Sequence, residues 1–125
     1  MIVPMAAVGQ IGRYRIGGRL PNCSQYVAGL GLWDKDLVVS LSLVPVTRGT
    51  DRESIGIMLK TPHSNTLWAL EIASPVGLVS VSSISQPTQT SSTRPSWLLT
   101  GTTTNERTVL WINVDEMVAS AERAA

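Results

Sequence analysis

The stretch "DLVVSLSLVPV" (residues 36–46) puts Leu37, Val39, Leu41 and Leu43 on one side of an extended chain and Val38, Ser40, Ser42 and Val44 on the other. Successive side chains leave a pleated strand on opposite faces, so a period of two rich in β-branched residues reads as a strand. Pro45 cannot donate to a ladder and marks the end of that strand or an edge. Three further segments repeat the signal. "ESIGIMLK" (53–60) alternates Ile55, Ile57 and Leu59, and "NTLWALEIA" (65–73) sets Leu67, Ala69 and Glu71 against Trp68, Leu70 and Ile72. "VGLVSVSSIS" (76–85) alternates until Ser83, where the phase slips as it would at a bulge.

Towards the C-terminus, "SWLLTGTTT" and "RTVLWINV" flank "NER" and read as a hairpin turning at Asn105 and Glu106. The stretch "SQPTQTSSTRPS" (85–96) is polar, threonine-rich and bracketed by prolines, which reads as an exposed loop. Only the end is helical in character. Asp115 is the expected N-cap of a helix over about 115–124, with Met117, Val118 and Ala121 as its apolar stripe. Short strands at close spacing therefore predict an all-β fold. The expected form is an antiparallel sandwich or closed barrel of about seven short strands with a short C-terminal helix. An α+β arrangement is the alternative, resting on "NTLWALEIA", whose Leu, Ala and Glu also suit a helix.

A chain of 125 residues is long enough for one domain with a real core, and no internal boundary or repeat divides residues 1–125. Charged residues make up only 15%, which points to surface hidden in an assembly, and a net charge of +1 exerts no global pull on nucleic acid or anionic membrane. The charge is uneven: residues 1–50 sum to +3 and residues 101–125 to −2. Cys23 is the lone cysteine, which excludes an intrachain disulfide and suits a reducing compartment. The opening "MIVPMAAVG" lacks a basic start and contains Pro4, and no apolar run reaches the ~20 residues of a membrane span. These features predict a soluble, cytoplasmic protein.

Catalytic chemistry is poorly supplied. His63, in "KTPHSN", is the sole histidine, so only a Cys23–His63 pair or a triad with Ser64 could serve a small hydrolase. No nucleophile elbow or phosphate loop occurs, one His and one Cys make no metal cage, and no cofactor is implied. Asp34 and Asp36 in "WDKDL" read as a hairpin tip.

The strongest local signal is "GRYRIGGRL" (12–20). Arg13 and Arg15 share one face of an extended segment, Tyr14 and Ile16 the other, and Gly17-Gly18 can turn Arg19 towards the same side. Three guanidiniums so placed would grip phosphate or carboxylate through forked hydrogen bonds. Tyr26, Trp33 and Trp97, at segment edges, are the surface aromatics that could hold a base or other flat group beside them, whereas Trp68 and Trp111 lie in apolar runs. The expected function is a non-enzymatic β-rich binding module that self-associates or docks on a partner protein. Anion, nucleotide or single-strand binding through Arg13, Arg15 and Arg19 is the alternative.

Overall fold

The computed structural model describes residues 3–18, 20, 23–44, 51–62, 64–72, 95–102 and 108–123. A 3-10 turn at Met5–Ala7 leads into β1 (Val8–Ile16), followed by β2 (Val27–Trp33), β3 (Asp36–Leu41), β4 (Arg52–Leu59) and β5 (Trp68–Ile72). These five strands close into a barrel in the order β1-β2-β3-β5-β4, with β4 pairing back onto β1. A hairpin of β6 (Leu98–Thr102) and β7 (Thr108–Ile112) and the helix α1 (Val114–Arg123) complete the described fold. The all-β expectation holds, as a barrel rather than a sandwich, and "NTLWALEIA" supplies a strand. The expected strand at 76–85 and most of the 85–96 loop lie outside the described residues.

One pairing departs from an antiparallel ring. β3 and β5 run parallel, with Val39 opposite Trp68 and Leu41 opposite Leu70. Five is an odd number, and directions that alternate around a closed ring must clash once. The result is a closed five-stranded barrel with one parallel pair, an architecture that assigns no function by itself.

The strand pleat sorts the side chains into two cores. Tyr14, Ile16, Ala28, Trp33, Val38 and Ala69 form a cluster inside the barrel, with Met58 against it. Leu41, Ile57, Leu59, Trp68, Leu70 and Ile72 point outward, into a larger cluster with Trp97, Ile112 and the helix residues Val114, Met117, Val118 and Ala121. The hairpin and α1 therefore cover the outer wall made by β3, β5 and β4. Tyr26 meets the Trp97 ring edge-on at 5.1 Å, and Ser64 accepts from Trp68 Nε1 at 3.1 Å while donating to Glu122 at 2.8 Å.

Inside so narrow a barrel, two large rings fit only where neighbours lack side chains. Tyr14 and Trp33 stack with centroids 5.1 Å apart. A Cβ on Gly56 would fall on the Tyr14 ring, one on Gly31 would come within 3.1 Å of it, and one on Gly12 within 3.3 Å of Trp33. The two-residue turn between β2 and β3 puts Asp34 at φ 52°, left-handed backbone that Asp tolerates better than most residues. At α1 the cap differs from the expected Asp115. Asn113 Oδ1 accepts the Glu116 amide at 3.2 Å, so the helix starts at Val114 and Asp115 lies in its first turn, where its charge still suits the dipole.

Candidate interaction face

The rest of the outer wall, made by β1, β2 and the start of β3, is built by glycines. In "GLGLW" Gly29 and Gly31 alternate with Leu30 and Leu32, and since Gly31 and Trp33 face the packed interior, the leucines face out. Leu30, Leu32 and Leu37 are 40%, 49% and 68% exposed, large values for aliphatic side chains on one sheet. Leu32 lies directly opposite Leu37, and Leu30 opposite Val39, which joins the covered core. The three leucines thus form one continuous strip bordering the covered wall.

Arg15 is the cross-strand neighbour of Leu32 on one side and of Glu53 on the other, while Arg13 lies opposite Ile55. Both arginines are exposed, and Tyr14 and Ile16 between and beside them are buried. Two residues apart on one strand, their Cα atoms stand roughly 7 Å apart on the convex outside of the barrel. Neither has an ion-pair partner among the described residues, whose two salt bridges are Arg52–Glu71 and Arg123–Glu116. Arg19 lies outside the described residues.

The aromatic candidates are corrected by the structure. Trp33 is 4% exposed, because the inward phase of β2 and the space at Gly12 carry its ring into the lumen. Trp97 is 2% exposed, packed in the larger core. Tyr26 is half-buried against Trp97, and Trp111, expected in a core, is half-buried while Trp68 is buried. All four Trp and both Tyr of the chain fall in the described residues, and none is exposed. No stacking platform stands beside the arginines.

Of the residues a small hydrolase would use, Cys23 and Ser64 are described. Cys23 Sγ donates to the Leu20 carbonyl at 2.9 Å, Ser64 Oγ is engaged by Glu122 and Trp68, and His63 lies outside the described residues. Among the described residues no three potential ligands gather as for a metal, and no helix is long and apolar enough to cross a membrane.

Two features escaped the sequence. The barrel interior holds polar groups: Tyr14 and Ser40 hydroxyls bond at 2.6 Å, and Glu71 accepts from Arg52 Nη2 at 2.8 Å, Arg52 Nε at 3.1 Å and Ser54 at 2.5 Å. Burial pushes the Tyr14 hydroxyl up to about 12 against the opposing bond to Ser40. Burial would also raise the Glu71 carboxyl, but hydrogen bonds from Arg52 and Ser54 prevail and hold it below its ordinary value. The alternation of Arg52, Ser54 and Gly56 is the signal that could have found this cluster. The second is an open groove of about 720 Å³ between the barrel and the hairpin, with Ala7, Leu59, Leu99 and Trp111 in its walls. It needs two sheets to exist, so no local pattern announces it.

No family model, curated protein or solved structure matches the chain.

Proposed function

We propose that this chain is a non-enzymatic β-barrel interaction module that docks on a partner protein through the Leu30, Leu32 and Leu37 strip, with Arg13 and Arg15 along its border. The observation that carries the reading is the contrast between the two halves of the outer wall. One half buries its aliphatic residues under the hairpin and helix, and the other leaves three leucines in contact with water. Contiguous apolar surface rimmed by polar groups marks docking sites, and arginine at the rim is the cation most suited to partner carboxylates. The lone Cys23 suits a reducing, cytoplasmic setting for such a partnership.

The test compares wild type with a Leu32→Asp/Leu37→Asp variant in quantitative capture of partners from a native extract. Loss of one specific partner, with the melting temperature held, supports the reading. An unchanged capture profile sinks it.

A second reading, binding of a nucleotide or single strand, is favoured by Arg13 and Arg15 sharing one exposed face. Aromatic stacking supplies much of the affinity for single strands, and this face offers leucines instead. Titration of wild type and an Arg13→Ala/Arg15→Ala variant with a single-stranded oligonucleotide at low salt decides it. Binding by wild type that the variant loses upholds this reading, and no binding by wild type removes it.

A further inference from the structure

The two ladders of β1 are unequal. On the β4 side, pairs run along its whole length, from Val8–Leu59 to Ile16–Arg52, with one irregularity between Val8 and Gln10. On the β2 side the ladder contains only Arg15–Leu32 and Ile16–Gly31. The β2–β3 turn at Asp34 and Lys35 explains this, because β1 runs on past the point where β2 ends. Among the described residues, Val8–Tyr14 therefore has one unpaired edge. Gly9, Gln10, Ile11 and Arg13 along it are exposed, Ile11 at 49%.

Exposed edges are usually blunted by proline, lysine, an inward-pointing charge, a bulge or a cover, and here the one irregularity, between Val8 and Gln10, sits at the start of the segment and leaves Gln10–Tyr14 regular. Residues 8–14, "VGQIGRY", contain neither proline nor lysine, and their only charge, Arg13, points outward. We infer that this edge pairs with β1 of a second copy of the chain, antiparallel across a twofold axis at Ile11.

The register explains why the occupant is a second copy. An antiparallel pairing of identical strands closes on itself, whereas a parallel or head-to-tail contact would propagate. With the axis at Ile11, the two Ile11 side chains meet and cover each other. Arg13 then lies over Gly9 of the partner, so within the free segment no arginine meets an arginine, and the guanidinium has a small residue beneath it. Like charges directly opposite would oppose the pairing, and this register avoids them. The proposal does not depend on the leucine strip, which begins on β2.

Sedimentation velocity on the full chain, from 1 to 100 µM (roughly the range over which a modest interface of this kind would assemble), should show a species of twice the monomer mass. Ile11→Lys places two ammonium groups across the axis and should return the monomer, with far-UV circular dichroism and melting temperature of the monomer unchanged at this exposed position. Paired Cα atoms in such a ladder lie about 4.5–5.5 Å apart, within disulfide reach. An Ile11→Cys/Cys23→Ser variant should therefore cross-link to a dimer under mild oxidation, and a Leu37→Cys/Cys23→Ser variant should not. A monomer throughout the range overturns the inference. So does a dimer that survives Ile11→Lys, or one that cross-links through position 37 and not through position 11. Leu32→Asp/Leu37→Asp should leave the dimer intact, so failure of the docking reading and failure of this one give different results.

Discussion

At Gly56 the absence of one methyl group decides whether the barrel can hold its contents. A Cβ there would fall on the Tyr14 ring and come within 2.9 Å of the Leu70 carbonyl, a backbone atom that cannot swing aside. Overpacking of this kind costs about 1–3 kcal/mol, so Gly56→Ala should lower the thermal midpoint by several degrees. Gly18, with nothing within 4 Å of its Cβ position, is the control whose alanine variant should melt close to wild type. The Tyr14–Ser40 bond makes a second case. Ser40 is fully buried, so Tyr14→Phe strands its hydroxyl at a cost of about 1–3 kcal/mol, and adding Ser40→Ala should recover part of that loss. At Glu71 the folded carboxyl ionises at lower pH than the unfolded one, so the unfolded chain binds more protons in mild acid. The resulting stability is full above the ordinary carboxylate range, near pH ~4.3, and drains away as pH falls through the lower folded value. Urea midpoints measured from pH 6 down to pH 3 should fall for wild type and fall less steeply for Glu71→Gln.

The elements themselves were largely legible, because each is written in nearest-neighbour chemistry. The alternation at 37–41, 55–59 and 68–72 predicts three strands whose facing residues are the ones found, and Asp34-Lys35 turns between strands as expected of a hairpin tip. The helix stripe of Met117, Val118 and Ala121 is the buried one. What the alternation lacks is a label for inside and outside. Every barrel strand here is buried on its inner face, and only some are buried on the outer face as well, so Trp33 at a segment edge looks exposed while the real exposed residues, Leu30 and Leu32, look like core. The intervening glycines hold the missing information: a position too crowded for a Cβ faces the lumen, and its neighbours face away. The helix cap failed for a smaller reason. Asn113, Asp115 and Glu116 all carry capping-type oxygens, and where the β7 ladder ends decides among them. Asn113→Ala should cost about 1 kcal/mol and raise amide exchange in the first turn of α1, while Asp115→Ala should cost less because it forfeits only a dipole interaction.

For the molecule as a whole, the decisive fact is that the barrel's outer wall and the C-terminal unit share one core. The candidate face was only half legible for the same reason: Arg13 and Arg15 could be assigned to one side of a strand, but which outer surface stays uncovered depends on where residues 97–121 dock. Leu41, Ile57, Leu59, Trp68, Leu70 and Ile72 from the barrel and Trp97, Ile112, Met117 and Val118 from the hairpin and helix exclude water together, so neither half retains that burial alone. Unfolding should accordingly be one cooperative event. Trp fluorescence draws on both parts, from Trp33 and Trp68 in the barrel to Trp97 and Trp111 beyond it, and far-UV circular dichroism reads the backbone of both. Their urea transitions should coincide. Trp97 is the severest place to test the coupling, since it is almost fully buried and its ring meets Tyr26 across the junction. Trp97→Ala should cost about 3–5 kcal/mol, the usual range for losing a large buried aromatic. If the two parts are truly one cooperative unit, that loss moves both transitions together to lower urea. If instead each signal splits into two steps, an early one and one at the wild-type midpoint, the shared core is not what holds the barrel, and its inner Tyr14–Trp33 cluster must suffice alone.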